Sequence, residues 1–185
     1  MQVRYHIGLL MLFVVMVSPA FATEVLEVPA NGSTVWSSPL QAGETYIIEA
    51  SGTYIFGGPQ PVLGYFYADA EWFEDNYPDP GVKHWLEDWT YGAPPPNNLE
   101  LSINGTFYDW LGTTDGNTWA SHTYNSSHVY RLYYVGTGDP ISLNIYDTVY
   151  FDNSGSLTVD ISPVPEPATL SLIVLGGLAV LRRKR

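Results

Sequence analysis

The sequence predicts an all-β protein: one β-sandwich domain between two processing segments. Three observations carry this. Short alternating runs such as Thr45–Ala50 (TYIIEA) and Leu99–Asn104 (LELSIN) recur along the chain, at the spacing of about 8 to 12 residues expected of sandwich strands. Gly, Pro and Asn punctuate the runs, and the 14 tyrosines and 6 tryptophans suit pleated sheets. Helical periodicity and internal repeats are missing from the sequence between the two ends.

The strands are expected in order. Glu24–Val28 and Thr34–Ser37 are split by Asn31-Gly32, and Ala42-Gly43-Glu44 turns into Thr45–Ala50. Ser51-Gly52 breaks that strand, Thr53–Phe56 continues, and Leu63–Tyr67 follows. Ala68–Asp79 is acidic and aromatic, and Asn76–Asn98 reads as a long loop with Pro78, Pro80 and Pro94-Pro95-Pro96. Asn104-Gly105 predicts a tight hairpin after Leu99–Asn104, with Thr106–Trp110 returning. Asp115-Gly116-Asn117 is a turn, Ser121–Val135 a strand pair or one bent strand, and Ile141–Tyr146 and Ser156–Ile161 the last two strands.

The two ends differ from the middle. Residues 1–22 read as a secretory signal peptide: Arg4, an apolar core Ile7–Val17, and the small-x-small cleavage pattern Ala20-Phe21-Ala22. Export through the Sec machinery follows. Residues 23–162 form the sandwich ectodomain. Residues 163–185 hold Val164-Pro165-Glu166-Pro167, the uncharged apolar run Ala168–Leu181, and the basic end Arg182-Arg183-Lys184-Arg185. An apolar helix closed by cations is a stop-transfer arrangement, although 14 residues are short for a full span. The C-terminal segment is therefore expected as a transmembrane helix.

Charge narrows the partners. Of 19 acids, all but Glu166 lie between Thr23 and Pro163; of seven bases, only Lys83 and Arg131 do. That stretch therefore holds 18 acids and two bases, a formal charge of −16. Such a surface repels nucleic acid and attracts cations. With no cysteine there is no disulfide or thiol chemistry. His6, His84, His122 and His128 show no metal-ligand spacing, and no nucleophile–base motif is visible. An enzyme is accordingly the minority reading.

Two clusters could carry chemistry. Asp147, Asp152 and Asn153 sit within seven residues closed by Gly155, the mixed carboxylate and amide oxygens that Ca²⁺ takes. The plainer reading is a tight turn braced by side-chain to backbone bonds. Asp69 and Glu71 would share a face if their segment is extended. They could complete the metal shell, act as the carboxylate pair of a glycan hydrolase, or simply be solvated.

The tail resembles the PEP-CTERM sorting signal of bacterial exopolysaccharide-associated proteins, through Val164, Pro165, Glu166, Pro167, the apolar run and the basic end. The resemblance implies recognition by an exosortase, removal of the helix near the motif, transient inner-membrane anchoring, and a final place at the cell surface or in the extracellular matrix. Ile141–Ile161 is similar to the last hairpin of the calcium-dependent galactose-binding bacterial lectins: Asp147 matches their first aspartate and Asp152-Asn153-Ser154-Gly155 their Asn-Asn-Ser-Gly. This chain has Asp152 for an asparagine and a shorter loop. The resemblance implies a jelly roll of galactose-binding-like type and a calcium-assisted carbohydrate-binding module, with extracellular polysaccharide as partner. It places Phe56 at a sugar-contacting position, where those lectins use a tyrosine. Trp72 is the second candidate for ligand contact, since an aromatic face suits the CH surface of a sugar. A purely structural matrix protein is the rival reading.

Overall fold

Period-2 alternation becomes strands wherever it was clean. The computed structural model describes residues 23–60, 64–75, 82–86, 100–147 and 150–164. The signal peptide with Ala20 and Ala22, the sorting residues Pro165, Glu166 and Pro167, and the apolar run lie outside them. In chain order the strands are β1 (Glu24–Pro29), β2 (Val35–Trp36), β3 (Thr45–Ser51), β4 (Tyr54–Gln60), β5 (Gly64–Ala68), β6 (Trp72–Asp75), β7 (Val82–Trp85), β8 (Leu101–Ile103), β9 (Leu111–Gly112), β10 (Ala120–Ser121), β11 (Val129–Val135), β12 (Ser142–Ile145) and β13 (Ser154–Pro163). No α-helix occurs among the described residues.

All pairings are antiparallel, and β13 organises them. Ser156–Ile161 pairs with β1, Thr158–Pro163 with β3, and Ser154-Gly155 with β4. From there the large sheet runs β3-β11-β9-β10 on one side and β4-β5-β6-β7 on the other. A separate small sheet has the order β2-β12-β8. Inward residues of both sheets meet in one core: Val28, Ile48, Ala50, Leu157, Val159 and Ile161 from the large sheet, and Leu101, Ile103, Leu143 and Ile145 from the small one. Each buried Val, Leu or Ile among them contributes about 1.5 to 3 kcal/mol on burial. The fold is thus all-β, with two antiparallel sheets over a shared core.

Three expectations change. Asn76–Asn98 is not loop throughout, because it holds β7, and β6 forms in the acidic stretch just before it. Thr106–Trp110 is not a returning strand, since only Thr106 bridges back, to Ile103. The Asn104-Gly105 hairpin itself forms, with φ of 52° and 72°. Both central residues have the positive φ that a type I′ turn requires. Finally, Asp69 and Glu71 are not on an extended strand but in the turn between β5 and β6.

Candidate functional site

The β5–β6 turn is built by one side chain. Asp69 Oδ1 accepts the backbone N–H groups of Glu71 at 2.9 Å and Trp72 at 2.6 Å, while Asp69 N donates to the Trp72 carbonyl at 2.8 Å. Aspartate favours such turns because its carboxylate can stand in for a backbone acceptor. The second oxygen faces β11: Oδ2 accepts from Tyr130 OH at 3.0 Å and lies 2.8 Å from His128 Nδ1. Asp69 is only 2% exposed. A carboxylate so buried persists because each oxygen is hydrogen-bonded.

His128 is presented by a turn of its own. Asn125 Oδ1 accepts from Ser127 N, its carbonyl accepts from His128 N, and its Nδ2 donates to the Val129 carbonyl. His128 takes φ 52°, the left-handed region that non-glycine residues seldom enter. Asn125 N also donates to Tyr130 OH at 3.2 Å. Two turns 59 residues apart are therefore tied through Asp69, Tyr130 and His128.

Register brings further groups to the same place. Tyr67 pairs with Glu74, and Glu74 with Lys83, so the three share one face of β5, β6 and β7. Lys83 Nζ bonds Glu74 Oε2 and lies 5.5 Å from the ring centroid of Tyr124. Tyr124 meets Trp72 and His128 edge-on, each at 5.9 Å. Together with Thr53, Ala68, Asp69 and Phe73, these side chains enclose a cleft of about 200 Å³. Its electrostatics follow from burial beside one carboxylate. Burial and then the Asp69 charge raise the pKa of the Tyr124 phenol, and the Tyr130 phenol is pushed far up for the same reasons in the same order. Burial lowers the Lys83 pKa, and the charge of Asp69 opposes the shift.

The predicted site residues separate. Glu71 is 2% exposed, and its Oε2 accepts from Trp110 N at 3.1 Å. Asp69 and Glu71 thus serve different neighbours. Trp72 lines the cleft. Phe56 sits in the core at 4% exposure, stacked on Phe66 at 5.4 Å and edge-on to Phe73 at 6.0 Å. Its neighbours are aromatic rings that fill the space under β4, β5 and β6.

The expected last hairpin is instead a crossover, because β12 belongs to the small sheet and β13 to the large one. In this connection Asn153 Nδ2 donates to Asp147 Oδ2 at 2.9 Å and to the Ala30 carbonyl at 3.0 Å. Asp147 N donates to Tyr150 OH at 3.1 Å. Asp152 is half-buried beside them. The buried Tyr54 lies in reach of both regions: burial first, then the charges of Asp147, Asp69 and Glu100, raise its pKa. Even so, no group of three His, Asp or Glu side chains among the described residues is placed to hold one metal ion.

His128, Lys83, Tyr67 and Tyr124 carry no sequence signal for this cleft. Only the acidic Asp69–Trp72 stretch pointed to it.

The comparisons bear on the tail. The model of the PEP-CTERM protein-sorting motif matches residues 163–185, the same segment that was read as a sorting signal. No curated protein and no solved structure matches the chain. The matched motif marks an exported, exosortase-processed surface or extracellular protein.

Proposed function

We propose that the exported domain is a carbohydrate-binding module of the cell surface or exopolysaccharide matrix, and that the Asp69 cleft is its binding site. One observation carries the reading: Trp72, Tyr67 and Tyr124 line a cleft that also holds the hydrogen-bonding groups of His128, Lys83, Glu74 and Thr53. Mostly apolar walls with a few placed polar groups are the usual character of small-ligand sites. Aromatic faces receive the CH side of a sugar ring, and the polar groups receive its hydroxyls. A cavity of about 200 Å³ suits one ring better than a long chain. With Nδ1 held by Asp69, His128 keeps Nε2 for a ligand.

Within this reading the protein binds and does not catalyse. Asp69 and Glu71 both serve as acceptors for backbone N–H groups, which accounts for their burial without assigning them chemistry. The test is a tryptophan-fluorescence titration of the exported protein with saccharides released from the producing cell's matrix. A saturable change is expected, weakened about tenfold or more in Trp72→Ala. Equal affinity in the variant rejects the cleft as the site.

Calcium at Asp147, Asp152 and Asn153 is a second proposal, favoured by one atom. Asn153 Oδ1 is buried without a hydrogen-bond partner among the described residues, and an amide oxygen is a suitable Ca²⁺ ligand. A rise in melting temperature with millimolar calcium, reversed by EDTA, supports it; identical curves remove it. Two sheets over one core favour a lectin-like jelly roll as the family of the fold.

A further inference from the structure

The outer face of the small sheet carries a groove of about 520 Å³, lined by Thr34, Ser102, Gly105, Phe107, Ser142, Asn144 and Tyr146. None of these is charged. That is unusual in a domain with 18 acids, and it sets the groove apart from the Asp69 cleft, where Asp69, Glu74, Lys83 and His128 meet.

The polar groups are held in place. Asn144 Nδ2 donates to the Gly32 carbonyl at 2.8 Å, and Ser102 Oγ donates to the Asn144 carbonyl at 3.1 Å. Ser142 donates through both N and Oγ to Asn104 Oδ1, at 2.8 and 3.3 Å. Among the described residues no group donates to Asn144 Oδ1, so this acceptor is open to a ligand. The hydroxyls of Ser102 and Ser142 can also still accept.

Aromatic side chains border the polar floor. Phe107 and Tyr146 meet edge-on at 6.0 Å and form one wall. On the other side Trp36 stands directly across from Ser142 in the β2–β12 register, on the same face, and is 62% exposed. Trp36 and Tyr146, 39% exposed, thus present aromatic surface on both sides of the polar floor, the kind of exposed patch that marks a binding groove.

We infer that this groove is a second saccharide site, specific for a neutral, hydroxyl-rich glycan chain. Fixed hydroxyl and amide groups match sugar hydroxyls, and aromatic borders match pyranose CH faces. The lack of any charged side chain leaves nothing to pair with a uronate or phosphate, and the net negative charge of the domain repels such polyanions. The inference does not depend on the Asp69 cleft. Were both sites to act, one domain would link two glycan segments without a second subunit.

The test is native affinity electrophoresis of the exported protein in gels containing dextran, galactomannan or xyloglucan, with alginate as the acidic control. Retardation by at least one neutral polymer and none by alginate is expected. Trp36→Ala and Asn144→Ala should each weaken retardation about tenfold, while Val135→Ala, an exposed change on β11 of the large sheet, leaves it unchanged. Trp36 is mostly exposed, so its variant should melt with the parent. No retardation by any neutral polymer, or unchanged retardation in both groove variants, overturns the site. So does a concentration-dependent dimer that Trp36→Ala abolishes, because a second copy would then cover the groove.

Discussion

The Asp69 carboxylate joins two turns that are far apart in sequence: Oδ1 caps the start of β6, while Oδ2 meets His128 Nδ1 at 2.8 Å. Its removal should therefore cost more than any one bond. Asp69→Ala strands two backbone N–H groups and the Tyr130 hydroxyl, and an expected loss of about 3 to 5 kcal/mol follows for a buried charge-assisted hub. Asp69→Asn keeps an acceptor for the backbone and should lose less. Urea denaturation of both variants checks this; a loss below about 1 kcal/mol for Asp69→Ala contradicts the hub.

A second prediction concerns acid. Asp115 Oδ1 accepts from Asn117 N at 2.8 Å, Thr118 N at 2.7 Å and Thr113 Oγ1 at 3.0 Å, and Oδ2 accepts from Thr118 Oγ1 at 3.0 Å. The backbone bonds, Thr118 first, hold its carboxyl well below the usual aspartate range. A depressed folded-state pKa stabilises above the unfolded value, and that contribution is lost as pH falls through the folded one. Carboxyl NMR titration should find Asp115 still ionised at a pH where ordinary aspartates have protonated. Titration in the ordinary range contradicts the bonding.

Gly112 is fixed by contact. A Cβ there would overlap the Thr123 carbonyl oxygen and lie 3.2 Å from the Tyr130 ring. Gly112→Ala must push β9 from the chain before Tyr130, at an expected cost of about 1 to 3 kcal/mol. Thermal unfolding measures it, and an unchanged midpoint would mean the strand moves freely.

The junction with the tail yields a fourth prediction. Val164, the first residue of the sorting signature, still donates its N–H to the Thr45 carbonyl at 2.9 Å. β13 ends one residue earlier, so sheet and signature meet without a linker. Exosortase cleavage should leave Val164 on the mature protein, which mass spectrometry of its C-terminus can read. Truncation after Asp160 would remove Ile161, 2% exposed in the core, and should cost about 2 to 5 kcal/mol.

Much of the large sheet was legible because β1, β3 and β13 alternate cleanly between core and solvent, whereas β11 was read only as part of Ser121–Val135 because its burial does not alternate. Asn104-Gly105 was legible because few residues tolerate two successive positive φ angles. β6 and β7 were hidden: each is four residues long and set among prolines and acids that suggest a loop. The cleft was only half legible. Asp69 and Trp72 stood out as an acidic aromatic pair, but their expected face assumed an extended strand where a side-chain-capped turn forms. His128 could not be matched to Asp69, since no spacing rule links residues that far apart. Phe56 was placed by resemblance, yet it shares a face of β4 with Tyr54, and that face is the one turned into the core.

The central claim is that a saccharide enters the Asp69 cleft. Its most direct test is to follow the ¹H–¹⁵N indole signal of Trp72 and the imidazole signals of His128 during titration of the exported protein with matrix-derived saccharide. The account predicts saturable shifts at both residues with one common affinity, and little change at the indole of Trp110, which is fully buried. Binding that leaves Trp72 and His128 unshifted, or no binding at all, would contradict it.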